Sequence, residues 1–272
     1  MTATLQALTR VLDLIVLGLL LGSPAARAAD LTAREIMVKS YEVSRVQDST
    51  GVGVLTLYNA SGDKRVRETT QVGKLDPNGR DQKRLIRFVS PADVKGTGLL
   101  TVEHHDGDDD IWIYLPALRK VRRIVSQEKS NTFMGSEFSY VDILDPQVDD
   151  YTHTLVGKVA LEGVECFKIE SVPTSAAIKD EHGYAKKVSW IRGDNFVASQ
   201  IDFYDKTGAL LKTQTARNIH EVDKTAHKWL PLVRVMSNHQ TKRRSELVLK
   251  DIKVNVGVGD DVFSTANLER GR

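Results

Sequence analysis

One segment of the sequence brings together side chains that could bind a metal ion. His104, His105 and Asp106 are followed closely by Asp108, Asp109 and Asp110. Carboxylate and imidazole groups are ligands for Ca²⁺ or for transition metals. However, the segment lacks the glycine and the glutamate that an EF-hand loop requires, and no second ligand cluster lies at zinc-like spacing. We therefore interpret residues 104–110 as a solvated hairpin turn and predict neither a metal site nor another cofactor.

The sequence also lacks the common catalytic motifs. It contains no Gly-x-Ser-x-Gly elbow, no His-Glu-x-x-His pair, no phosphate-binding loop and no dinucleotide-binding glycine pattern. Three Gly-x-Gly triplets, such as residues 96–98, are not continued by a further glycine. We therefore predict that the protein is not an enzyme.

A basic segment follows the acidic turn, with Arg119, Lys120, Arg122 and Arg123 around Val121. These side chains could contact an anionic headgroup or an acidic partner at the rim of a cavity. They could equally form a solvated strand face whose charge discourages edge-to-edge pairing. The sequence leaves both interpretations open.

The first 28 residues have the pattern of a secretory signal peptide. Arg10 supplies the positive charge, residues 14–21 form a short apolar core, and residues 26–28 give a small-x-small cleavage site. The single cysteine, Cys166, lies far from the position required for a lipid anchor. We therefore expect an exported, unanchored protein of the Gram-negative periplasm. Its formal net charge of +2 indicates no strong attraction to nucleic acid.

The remainder of the chain has mainly β periodicity. Thr32 followed by Glu35 predicts a capped N-terminal helix, and residues 59–63 are turn formers between two alternating runs. About eleven strands follow one another at hairpin-like spacing. An antiparallel sheet of this length is expected to curl, because twist disfavours flat open sheets of more than about ten strands. We predict one mainly β (α+β) domain over residues 29–272.

Apolar residues on one face of these strands must be covered by a packed core or must line a cavity for an apolar ligand. Residues 133–140 combine aromatic residues and Met134 with Gly135, which suits a short mobile lid. Mutation of this lid should change lipid retention more than stability. The residues predicted to form the cavity lining and the lid are Phe88, Leu100, Trp112, Tyr114, Phe133, Met134, Phe138, Trp190 and Phe203.

Three segments in the middle of the chain, residues 90–100, 112–124 and 134–143, carry a family resemblance. They resemble the outer-membrane lipoprotein-sorting proteins, and in particular the LolA-like branch that often accompanies resistance-nodulation-division (RND) exporters. The resemblance extends over essentially the whole mature chain. It implies a strongly curved, half-open barrel closed by the N-terminal helix and a short helical lid, with an apolar cavity between them.

The function implied by the resemblance is that of a periplasmic carrier. Such a protein would bind the acyl chains of lipoproteins or other lipids and pass them toward the outer membrane, with an inner-membrane RND exporter as a partner. We expect a monomer. Two alternatives remain: a lipid-sensing envelope regulator of the RseB type, which would carry a further C-terminal domain, and a structural envelope protein with a filled core.

Overall fold

The computed structural model describes residues 31–144 and 147–271, so the predicted signal peptide lies outside the described residues. Its main element is a single antiparallel sheet of thirteen strands, rather than about eleven. Two of the strands have only four or five residues, too few for a clear alternation of apolar and polar positions. The strands are β1 (Asp48–Tyr58), β2 (Lys64–Leu75), β3 (Gln82–Ser90), β4 (Gly98–Val102), β5 (Asp110–Leu115), β6 (Lys120–Arg123), β7 (Tyr151–Leu161), β8 (Val164–Pro173), β9 (Lys186–Arg192), β10 (Ala198–Tyr204), β11 (Leu210–Asp223), β12 (Lys228–Asn238) and β13 (Arg244–Val254).

The sheet consists of two meanders joined side by side. β1 to β6 form the first meander and β7 to β13 form the second, and the first and last strands of the chain pair with each other in the middle of the sheet. β6 and β7 are therefore the two edges, and the sheet is not closed. This arrangement confirms the predicted half-open barrel.

The chain between the two edge strands crosses the sheet, and we call it the crossover segment (residues 124–144 and 147–150). Its backbone accepts hydrogen bonds from Arg84 on β3 and from Lys212 on β11, and donates one to Ser245 on β13. It thus passes over strands of both meanders. The face that it covers is called the inner face below.

Four short helices accompany the sheet in the described part of the chain: α1 (Ala33–Glu42), α2 (Tyr140–Ile143), α3 (Ala176–His182) and α4 (Thr265–Arg270). The predicted capping box of α1 is present, since Glu35 N donates to Thr32 Oγ1 and Thr32 N donates to Glu35 Oε2. The predicted lid region contains one helical turn, a 3₁₀ turn at Phe133–Gly135, and α2 begins at the last residue of that region. Helices α3 and α4 were not predicted from the sequence. None of the helices among the described residues is long and apolar enough to cross a membrane.

Both faces of the first meander are covered. On the inner face the crossover segment contributes Phe133, Phe138 and Val141 to a core that also contains Phe88 and Phe203. On the outer face, α4 inserts its fully buried Leu268 into a second, smaller apolar cluster. Strands covered on both sides have buried residues at consecutive positions, which weakens the alternation that would identify the inner face.

A buried ion pair links the chain just after α1 to the first meander. Arg45 donates to Glu103 Oε2 over 2.7 Å, and the two side chains are only 3% and 1% exposed. Arg45 also donates to the Arg80 carbonyl, and Gln82 N donates to Glu103. Removing one partner would leave the other charge buried without compensation, which typically costs about 3–5 kcal/mol.

We therefore predict that Glu103→Ala lowers the free energy of unfolding by about 3–5 kcal/mol, measured by urea denaturation. Asp180→Ala is the matched control, because it breaks a 2.8 Å pair with Lys206 in which the Asp180 side chain is 73% exposed. The control should change stability far less, because water screens an exposed ion pair. Equal effects of the two variants would contradict a special role for the buried pair.

Candidate functional site

A cavity of about 210 Å³ lies on the inner face of the second meander, between the sheet, α1 and the crossover segment. Its volume exceeds that of the engineered cavity of about 150 Å³ that binds benzene, so it can hold part of an apolar chain. Half of its 26 lining residues are apolar: Met37, Val43, Val141, Leu144, Val148, Ile191, Val197, Ala198, Ile201, Phe203, Ala216, Trp229 and Pro231.

A second cavity, of about 180 Å³, adjoins the first. It lies over the inner face of β1, β2, β3, β12 and β13, and its lining includes Ile86, Ile143 and Leu247. The two cavities share Ser44, Pro231 and Arg234 as lining residues. The unfilled space therefore extends from the second meander past the central strands into the first.

The first cavity ends at a polar cluster in which a buried ion pair dominates. Lys212 donates to Asp142 over 2.6 Å, with the side chains 6% and 3% exposed, and Tyr184 also donates to Asp142. Burial alone would raise the pKa of Asp142. The attraction and hydrogen bond of Lys212, with further hydrogen bonds from Ser139 and Tyr184, outweigh burial and hold the pKa below its usual value.

Lys187 is the other cation at this end of the cavity. Its ammonium group lies 3.7 Å from the centre of the Tyr151 ring. Burial lowers the pKa of Lys187 to about 8, although Asp142 and Asp150 oppose this by their negative charge. Burial likewise raises the pKa of Asp150 to about 6. At neutral pH Lys187 is thus a cation in the cavity wall, as is Arg234 at the boundary with the second cavity.

The two histidines near the polar end of the cavity, His153 and His182, are neutral. The Tyr151 hydroxyl and His182 Nδ1 are 2.6 Å apart, and burial lowers the pKa of His182 to about 3. His153 Nε2 must carry a hydrogen, because it lies 2.9 Å from the Val148 carbonyl, which can only accept. Burial also lowers the pKa of His153. Neither ring adds positive charge beside Lys187 at neutral pH.

The structure separates the nine predicted lining and lid residues into three groups. Phe203 lines the first cavity. Phe88, Phe133 and Phe138 are buried in the inner-face core, and Met134 packs against that core. The lid region (residues 133–140) is thus packed against the sheet, and none of its residues lines the first cavity.

The remaining four predicted residues lie away from the cavity. Leu100, Trp112 and Tyr114 pack in the outer-face cluster with Leu268 of α4. On β9, Ser189 and Ile191 line the cavity, so Trp190 between them points to the other face. There it lies 5.0 Å from the Lys168 ammonium group.

The acidic turn forms local pairs. His105 lies 3.0 Å from Asp81 and 2.8 Å from Asp106, and His104 lies 3.2 Å from Asp110. Across residues 31–144 and 147–271, no group of three or more potential ligands is arranged to hold a metal ion.

The basic segment forms the edge strand β6. Arg122 pairs with Glu128 over 2.8 Å and Arg123 pairs with Asp110 over 2.5 Å, while Leu118 just before the strand is 68% exposed. Contact of this segment with an anionic partner stays a prediction.

Several cavity residues were missed by the sequence analysis. Met37 and Tyr41 of α1 both line the cavity, although only the capped helix that carries them was predicted. Lys187 shares its strand face with Ser189 and Ile191, and a lysine-serine pattern is typical of a solvated face. Ile191 is an apolar residue on the same strand face, and it was the signal in the sequence that this face is covered.

A family model described as an uncharacterized protein matches residues 80–270 of the chain. The chain is 32% identical to an outer membrane lipoprotein-sorting protein domain from Vibrio parahaemolyticus, with a TM-score of 0.80, covering 88% of this chain and 98% of that one. Comparison with curated proteins finds no match.

Two further solved structures have the same fold. A DUF1329 family protein from Desulfovibrio piger is 29% identical, with a TM-score of 0.80, covering 87% of this chain and 97% of that one. A LolA superfamily protein from Nitrosomonas europaea is 19% identical, with a TM-score of 0.67, covering 87% of this chain and 99% of that one. The latter shows the fold alone.

The buried ion pair leads to a prediction on stability. Lys212→Met should lower the free energy of unfolding by about 3–5 kcal/mol at neutral pH, because Asp142 would remain buried without its cation. The pKa of Asp142 should rise in the variant. Since the wild-type pKa lies below the unfolded value, the stabilisation is present above pH 4 and is lost as the pH falls further. Urea denaturation across pH 3–7 measures both effects, and a constant difference down to pH 3 would contradict the assignment.

The position of Phe138 leads to a second prediction. Because its side chain is 1% exposed in the inner-face core, Phe138→Ala should lower the free energy of unfolding by about 3–5 kcal/mol. Thr132→Ala, an exposed position in the same segment, should change it by less than about 0.5 kcal/mol. A variant Phe138→Ala of wild-type stability would show that this side chain can leave the core freely, as the sequence analysis expected of a lid.

Proposed function

The chain belongs to the outer membrane lipoprotein-sorting protein family, and we propose on that premise that it is a periplasmic carrier for the acyl chains of lipoproteins or lipids. The carrier would take up an acyl chain at the inner membrane and pass it toward the outer membrane. The resemblance of its central motifs to proteins that accompany RND exporters supports such an exporter as its partner.

The observation that carries this proposal is the pair of adjoining cavities on the inner face. A sheet with a filled inner face would need no such space, whereas an acyl carrier must remove methylene groups from water. Each buried methylene contributes about 0.8 kcal/mol. The cavity of about 210 Å³ is smaller than the 300–1,000 Å³ usual for a drug-sized ligand. A complete acyl chain would therefore also occupy the second cavity or displace part of the wall.

The wall contains an element suited to such movement. On the crossover side it consists of the short helix α2 and of residues 147 and 148, which are joined to the sheet largely by side-chain hydrogen bonds. On the opposite side it consists of the single helix α1. Separation of α1 from the sheet would enlarge the cavity without breaking the strand ladder or the buried pair of Lys212 and Asp142. This favours a carrier that accommodates cargo by moving α1 over a fixed sheet.

The proposal predicts that the purified protein contains or takes up long-chain lipid. Mass spectrometry of a chloroform extract should detect copurified lipid, and a fluorescent fatty acid should bind to delipidated protein and be displaced by unlabelled lipid. The absence of both would contradict the proposal.

A cavity-filling variant tests the location of the binding site. Ala216→Phe places a ring in the first cavity and should weaken binding of the fluorescent fatty acid at least tenfold. Arg217→Phe adds the same ring at the exposed neighbouring position, on the other face of β11, and should leave binding unchanged. Circular dichroism would verify that both variants are folded. Equal binding by the two variants would place the site elsewhere.

A further inference from the structure

The register of the sheet places two lysines in one row at the polar end of the cavity. Ser171 on β8 pairs with Lys187 on β9, Lys187 pairs with Phe203 on β10, and Phe203 pairs with Lys212 on β11. Paired residues in adjacent strands point to the same face. Lys187 and Lys212 therefore stand on either side of Phe203 at the inner face.

The two lysines differ in how their charge is balanced. Lys212 donates to the Asp142 carboxylate and to the Glu137 carbonyl. Lys187 lies over the Tyr151 ring, and within residues 31–144 and 147–271 it forms no ion pair and no hydrogen bond. Asp142 and Asp150 are near enough to attract it, but Asp142 is already engaged by Lys212 and Tyr184. The ammonium group of Lys187 therefore has hydrogen-bond donors that are available to a ligand.

The cavity continues from this row along the strands. Ser189 and Ile201 occupy the next inner-face positions, and Ile191 and Ala198 lie beyond them. Farther from the row the lining contains the apolar residues Ala216, Trp229 and Pro231, with Gln214 and Arg234 beside them. A ligand that matches this lining has an anionic end at Lys187 and an apolar chain that extends from it.

We propose that Lys187 binds the anionic end group, a carboxylate or a phosphate, of an amphiphile whose apolar chain lies in the first cavity. This inference rests on the proposed carrier function and narrows its cargo. Charge-assisted hydrogen bonds from an ammonium group to an anionic oxygen are among the stronger ones, and they are favoured where water is excluded. An ester-linked or amide-linked acyl chain of a lipoprotein has no charge at that point. The site therefore favours an amphiphile with a free carboxylate or phosphate at the end of its chain, such as a fatty acid, over an acylated protein.

The test compares two fluorescent probes that differ only in their end group, dansyl-undecanoic acid and its methyl ester, on delipidated protein. The wild type should bind the acid more tightly than the ester. Lys187→Met should weaken binding of the acid by about 10- to 100-fold, the range expected for a hydrogen bond to a charged group, and should leave binding of the ester within about twofold.

Lys186→Met is the matched control. It removes the same charge from the same strand, but Lys186 alternates with Lys187 and pairs with Glu170 over 2.8 Å on the other face. Both probes should bind to this variant as to the wild type. Lys187→Gln serves as a second neutral variant, so that a failure of Lys187→Met to fold leaves the comparison intact.

Competition then distinguishes an amphiphile from a free anion. Dodecyl phosphate should displace the acid probe, whereas inorganic phosphate at the same concentration should not. Displacement by inorganic phosphate alone would overturn the proposal in favour of a simple anion site.

Two other outcomes separate this inference from the carrier function. Equal affinity of the wild type for acid and ester, or an equal loss of both in the Lys187 variants, would overturn the role of Lys187 and leave the carrier function standing. Failure of the wild type to bind either probe would overturn both.

Discussion

The strand order imposes one constraint from which much of the structure follows. Because the two meanders end at opposite edges of the sheet, the chain must return from β6 to β7 across the inner face. Backbone groups on such a path are taken out of water and need hydrogen-bond partners. Arg67, Arg84, Lys212 and Ser245 supply them from the strands. Polar residues on an inner face, which would be unfavourable in a simple core, are thus explained by the segment that they hold.

The same crossing divides the inner face into a filled part and an unfilled part. Where its aromatic side chains meet the strands, Phe88, Phe133 and Phe138 form a close-packed core. After Val141 the crossover segment leaves unfilled space between itself and the sheet. Helix α1 forms the opposite wall of that space. The buried pair of Lys212 and Asp142 lies at the boundary. A rigid core and a deformable space therefore stand next to each other on one sheet, with the ion pair fixing the division.

The sequence predicted local features that depend on neighbouring residues. The capping box of Thr32 and Glu35 is confirmed, as is the half-open antiparallel sheet. The sequence could not show which of two consecutive buried residues faces the inner side of the sheet. Leu99 and Leu100 are both buried, one against the crossover segment and the other beneath α4. That distinction depends on α4, whose cap by Ser264 is a weak signal so near the end of the chain.

The pairing of β1 with β13 has a consequence for the way the chain folds. The first and last strands of the sequence are neighbours, so this ladder has the largest loop to close and belongs to the contacts that slow folding most. The first meander can assemble by local hairpins, yet β1 keeps an unpaired edge until the end of the chain is available. An unpaired edge of eleven residues is a template for association with other chains. During synthesis, β1 therefore depends on being shielded until the last strand is available to pair with it.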